Sequence, residues 1–118
     1  MNGALLGMLL WAIASVESNC DADAVSPNGR ECGILQISEI MVRDCNRIVK
    51  EDRWDIEDRF DIAQSYEMAG VYFDEYCRGM TYGEMARCWN GGPRGHMKQC
   101  TADYSRRVMN LMRSRMAR

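Results

Sequence analysis

A single, mainly α-helical domain is predicted by three observations. The chain has 118 residues, the size of one domain with a core of its own. Its longer apolar patterns recur at three and four residues, the spacing of a helix face. Alternating patterns are short enough for at most one small strand element. Five or so helices are therefore expected, and residues 1–118 form one domain with no internal repeat or low-complexity segment.

The elements follow in order. Ala4 to Val16 is the most apolar stretch, broken by Gly7 and Ser15. Its length suits the core of a signal peptide or a buried helix. No Lys or Arg precedes it, and Ala14-Ser15-Val16 matches a cleavage site poorly, which favours the helix. On that helix Leu6, Leu10, Ile13 and Glu17 share one face, so a carboxylate closes an apolar stripe. Asn19 to Arg30 is rich in turn formers, with Pro27-Asn28-Gly29 as the turn signal. Cys32 to Ile37 reads as a strand or a helix entry. Ser38 to Val49 reads as a helix capped by Ser38. Lys50 to Asp58 reads as a solvated connection around Trp54. Ile56 to Cys77 carries one helical pattern, and a smaller helix over Thr81 to Trp89 follows the Gly79 break. Asn90 to Gly95 reads as an irregular loop. Thr101 is expected to cap the last helix, with Tyr104, Val108, Met112 and Met116 as its buried stripe.

Composition excludes several functions. Fifteen basic against seventeen acidic residues give a net charge of −2, without the basic excess of a nucleic-acid binder. No apolar run reaches the roughly eighteen residues of a membrane span. A single histidine, His96, and the absence of a Gly-x-Ser-x-Gly elbow argue against nucleophilic hydrolase chemistry. The six cysteines include no Cys-x-x-Cys pair, so no zinc site and no other cofactor is expected. Six cysteines allow fifteen pairings, which sequence does not resolve. Cys20 with Cys32, and Cys88 with Cys100, would each close a loop.

Three local features carry the chemistry. Glu17-Ser18 stands at the end of the first helix. Ala24-Val25-Ser26-Pro27-Asn28-Gly29 precedes Gly33-Ile34-Leu35-Gln36. Cys88-Trp89-Asn90-Gly91-Gly92-Pro93 precedes Thr101 to Ser105. In this order and spacing they resemble the soluble lytic transglycosylase and goose-type lysozyme group, over roughly Leu9 to Met112. Locally, Glu17-Ser18-Asn19-Cys20, Glu31-Cys32-Gly33, Asp44-Cys45 and Asn90 to Pro93 are also similar to invertebrate-type lysozymes. The resemblance implies a lysozyme-like fold. It also implies cleavage of the peptidoglycan bond between N-acetylmuramic acid and N-acetylglucosamine, outside the cytoplasm. A non-enzymatic glycan-binding module on the same fold is the alternative.

The resemblance makes Glu17 the general acid and base, and the physics agrees. An acid that protonates a leaving oxygen near neutral pH needs a raised pKa, which an apolar surrounding provides. The competing reading of Glu17 is the first exposed turn of a fraying helix. Ser26, Gly33, Gln36, Trp89, Asn90, Gly91 and Tyr104 carry over as substrate-binding residues. Gln36 and Asn90 read equally as loop-ordering amides, Tyr104 as core, and Tyr66 as core rather than cleft. Trp89 stands where the group has a tyrosine, so a hydroxyl bond to the catalytic carboxylate is not expected from it. Cys100 replaces a frequent late glutamate. Invertebrate-type lysozymes carry an aspartate shortly before Cys-Gly; no Asp lies between Ala24 and Cys32 here, which speaks against two catalytic carboxylates. Asp21 and Asp23 read as surface charge. The extracytoplasmic substrate implies that some cysteines pair. A monomer is expected, and the basic last helix reads as a complement to its own dipole or an attraction to the anionic wall. The ten methionines read as flexible core filling.

Overall fold

The computed structural model describes residues 3–117. The first helix, α1 (Gly3–Ser18), is apolar almost all round and buries Leu9, Leu10, Ala12, Ile13 and Ala14. The apolar stretch is thus a core helix of the fold, and among the described residues no helix is long and apolar enough to cross a membrane.

The ambiguous Cys32 to Ile37 run is a small hairpin. Strand β1 (Glu31–Cys32) pairs antiparallel with β2 (Ile37–Ser38), and Val25 adds an isolated bridge to Cys32. The turn between them needs left-handed backbone at Gly33, φ 84°, and Gln36, φ 54°. A Cβ on Gly33 would lie 1.7 Å from the carbonyl oxygen of Arg59, so only glycine fits. Arg59 locks the hairpin from below. Its guanidinium donates to the carbonyls of Ile56, Arg30 and Ile37 while its side chain is buried.

Helix α2 (Glu39–Val49) starts as predicted, with the Ser38 hydroxyl accepting from Met41 N at 3.2 Å. It ends on Lys50 in the left-handed region. The following connection is solvated except at Trp54, which is buried and donates its indole N–H to Gln64 Oε1 at 2.8 Å. The single helix predicted over Ile56 to Cys77 is two elements: a 3-10 turn at Ile56–Phe60 and α3 (Ile62–Tyr76). The break is local chemistry. Asp61 adopts extended backbone and its carboxylate accepts from Gln64 N, starting a new helix.

Helix α4 (Tyr82–Gly91) begins with a reciprocal capping box between Thr81 and Glu84. It runs two residues further than predicted, so Asn90 and Gly91 belong to its last turn rather than to the loop. Two 3-10 turns, Gly95–Met97 and Gln99–Thr101, lead into α5 (Ala102–Met116). Thr101 makes no side-chain cap; its buried hydroxyl accepts from Arg87 Nε and bonds the carbonyls of Gly95 and Lys98. Tyr104, Val108 and Met112 form the buried stripe, and Met116 lies outside it, 55% exposed.

The core is continuous. Leu9 and Ile13 of α1, Leu35 and Ile37 of the hairpin, Met68 and Phe73 of α3, Met85 of α4 and Val108 of α5 are all fully buried. Tyr72 and Phe73 meet Trp89 edge-on and tilted, both at 5.6 Å between ring centroids. Helix α5 packs on α1 and α4, which brings its first turn against the end of α1.

Candidate active site

A cleft of about 190 Å³ opens where the end of α1, the hairpin, the start of α2 and the end of α4 converge; Glu17, Glu31, Gln36, Met41, Trp89 and Asn90 line it. Residues far apart in sequence therefore face one space.

Glu17 reaches it from the last turn of α1. Burial raises its pKa above the ordinary carboxylate value. The hydroxyl of Tyr104, donating to Glu17 Oε2 at 2.7 Å, opposes that rise, the negative charge of Glu31 adds to it, and Arg107 opposes it. Ser18 fixes the helix end. Its hydroxyl bonds the Ile34 carbonyl at 2.8 Å, tying α1 to the hairpin turn. A fraying end is therefore not what Glu17 occupies.

The hydrogen bond to Glu17 comes from α5, across 87 residues of chain. Trp89 lines the cleft as an apolar wall, packed on Tyr72 and Phe73. Burial beside Glu17 holds the Tyr104 hydroxyl far above its usual pKa, so it remains a proton donor to the carboxylate.

The sequence-predicted residues divide into three groups. Glu17, Gln36, Trp89 and Asn90 share the cleft, and Tyr104 bonds Glu17. Gln36 serves the turn as well, its Nε2 donating to the carbonyls of Ala24 and Gly33. The others act through the backbone. Gly33 permits the approach of Arg59, and a Cβ on Gly91 would lie 2.6 Å from Thr101 Cγ2. Ser26 sits behind the hairpin, accepting from Glu31 N at 3.1 Å and donating to Asn28 Oδ1 at 2.8 Å. Asp21 and Asp23 are exposed, as expected.

Glu31 is the residue that sequence reasoning missed. The aspartate sought between Ala24 and Cys32 is absent, but a glutamate immediately precedes Cys32-Gly33, and the cleft does hold two carboxylates. The signal was an acid next to Cys-Gly, whichever acid it is. Arg107 was read as part of a basic helix end, yet its charge acts on Glu17. Among the described residues no group of three or more His, Cys, Asp or Glu side chains could hold a metal ion.

The fold around this cleft, five α-helices and one small hairpin among the described residues, is that of a lysozyme-like domain. Residues 2–111 match the family model described as the transglycosylase SLT domain, and the chain belongs to that family. A lytic-transglycosylase type of action on peptidoglycan follows at the level of the family. No curated protein and no solved structure matches the chain significantly.

Proposed function

We propose that the protein cleaves the β-1,4 bond between N-acetylmuramic acid and N-acetylglucosamine, with Glu17 as general acid and then base. The observation that carries this reading is a desolvated carboxylate at the mouth of a cleft, held by one phenol hydrogen bond. Protonated Glu17 gives its proton to the glycosidic oxygen as the bond to the anomeric carbon breaks. The substrate's own N-acetyl oxygen assists at that carbon. Glu17, now a carboxylate, takes the proton of the muramyl 6-hydroxyl, whose oxygen closes on the anomeric carbon and leaves an anhydro end. Glu17 serves both steps from one position, fixed by Tyr104 and the Ser18 tie.

Glu31 places a second negative charge in the same cleft. It favours the protonated form of Glu17 and stabilises the positive charge that develops on the sugar ring. Gln36 and Asn90 offer amide groups to the sugar, and Trp89 and Met41 offer apolar walls.

The test is turbidity loss of bacterial cell walls, with mass spectrometry of the released muropeptides. Wild-type protein is expected to release anhydro-ended fragments, and Glu17→Gln to lose about 10²–10⁴-fold in rate. Equal lysis by the glutamine variant overturns the role of Glu17. Reducing ends in place of anhydro ends would assign the second step to water.

A further inference from the structure

All six cysteines are free in this structure, so neither Cys20 and Cys32 nor Cys88 and Cys100 are joined. Cys88 stands apart by the company of its sulfur. It lies in α4, fully buried, and three lone-pair groups surround its Sγ. His96 Nδ1 is at 3.3 Å, the Pro93 carbonyl oxygen at 3.6 Å and Met80 Sδ at 3.7 Å. Met80 comes from the turn before α4, Pro93 from the loop after it, and His96 from the 3-10 turn Gly95–Met97. Cys45, also buried, donates instead to a single carbonyl, that of Met68 at 3.4 Å.

A thiol carries one proton and is a weak donor, so Cys88 satisfies at most one of its three neighbours at a time. A cation in place of that proton meets several lone pairs at once. The donors name the cation. A thiolate, a thioether and an imidazole form a soft set, and no carboxylate completes it, since the third member is a methionine. Thiolate and thioether together select Cu(I). Charge points the same way. A buried complex is costly unless neutral, and one thiolate neutralises a monovalent ion but not a divalent one. Bonds of about 2.0–2.3 Å in a trigonal set hold sulfur and nitrogen roughly 3.8 Å apart and two sulfurs roughly 4.0 Å apart, so the side chains need shift only by tenths of an ångström. A route in exists as well. A pocket of about 510 Å³ beside the α3–α4 turn is lined by Cys77, Met80 and Met85, and Met80 stands between it and the buried thiol.

We propose that Cys88, His96 and Met80 form a binding site for one Cu(I) ion. The ion arrives by exchange from a carrier thiolate, RS–Cu. Cys88 gives up its proton as its sulfur bonds copper, and the released RS⁻ takes up a proton, so RS–Cu and one thiol become Cys88–S–Cu and RSH. Copper stays Cu(I), and no oxidant or reductant is needed. His96 binds through Nδ1 and keeps its proton on Nε2. The bound ion ties the turn before α4 to the loop after it, behind the cleft residues Trp89 and Asn90. The site does not depend on the glycosidase reading.

The experiment titrates the reduced full chain with Cu(I) under anaerobic conditions, with bicinchoninate as the coloured competitor. Wild type is expected to take about one Cu(I) per chain from the competitor, and a Cys20→Ser/Cys100→Ser variant, which lacks the two exposed thiols, to take as much. Met80→Leu and His96→Gln are each expected to weaken binding by about tenfold or more, and Cys88→Ala to abolish it. Met80 and His96 are only half-buried, so those two variants decide the matter if Cys88→Ala does not fold. X-ray absorption of the loaded wild type is expected to show two sulfurs and one nitrogen around copper. Failure of wild type to take copper from the competitor overturns the proposal. So does wild-type affinity in both Met80→Leu and His96→Gln, or a copper shell of sulfur alone.

Discussion

The two walls of the cleft are built on different principles. The helical wall holds Glu17, Tyr104, Trp89 and Asn90 through packing of α1, α5 and α4 into one core. The hairpin wall holds Glu31 and Gln36 through backbone: left-handed residues, turn hydrogen bonds and a buried guanidinium that serves carbonyls. A packed wall tolerates small side-chain changes and responds in pKa. A backbone wall fails at single atoms. The same cleft should therefore answer substitutions in two ways.

The largest effect is expected at Gly33. Gly33→Ala sets a methyl against the Arg59 carbonyl and strains a positive φ, so the hairpin must move. A loss of about 4 kcal/mol or more is expected, because a backbone clash adds to the conformational strain. Urea unfolding would measure it; a change under 1 kcal/mol would show that the hairpin yields easily and that the contrast between the walls is false.

The next effects are shifts in the pH profile, and their signs oppose each other. Activity that needs protonated Glu17 is lost as pH rises through its raised pKa. Glu31→Gln removes a charge that raises that pKa, so the alkaline limb of kcat/KM is expected to move to lower pH. An unmoved limb would separate Glu31 from Glu17. Tyr104→Phe removes a donor to the carboxylate, so the same limb is expected to move to higher pH. Its cost in stability is the smallest of the series, about 1 kcal/mol for one partly buried hydrogen bond. Thermal melts and pH–rate curves on the same two variants decide both points. Limbs that moved in one direction for both would contradict the opposed electrostatics of the two walls.

Much of the helical wall was legible in the sequence. Spacing alone put Glu17 on the apolar face of α1, capping chemistry marked the start of α2 at Ser38, and the Gly79 break marked the approach to α4. The order of motifs, from Glu17-Ser18 through Gly33 to Gln36 and then Trp89 to Pro93, pointed to the family that the whole chain matches. These signals survive in one dimension because helix periodicity and caps act within four residues.

On the hairpin wall Gly33 and Gln36 were legible as a motif, but Glu31 was not, for the complementary reason. Glu31 acquires its place only when β1 pairs with β2 and the turn is locked by Arg59, 28 positions beyond it. The fate of Thr101, a buried hydrogen-bonding post and not a cap, depends on Arg87 and on the carbonyl of Gly95, none of which periodicity weighs. The donor to Glu17 likewise had to be found across the fold, on α5. The sequence by itself determined most of the helices, the place of Glu17 at the end of α1 and the family. Tertiary structure alone decided what surrounds that acid, because desolvation, opposed charges and long-range hydrogen bonds exist only once distant segments share one small volume.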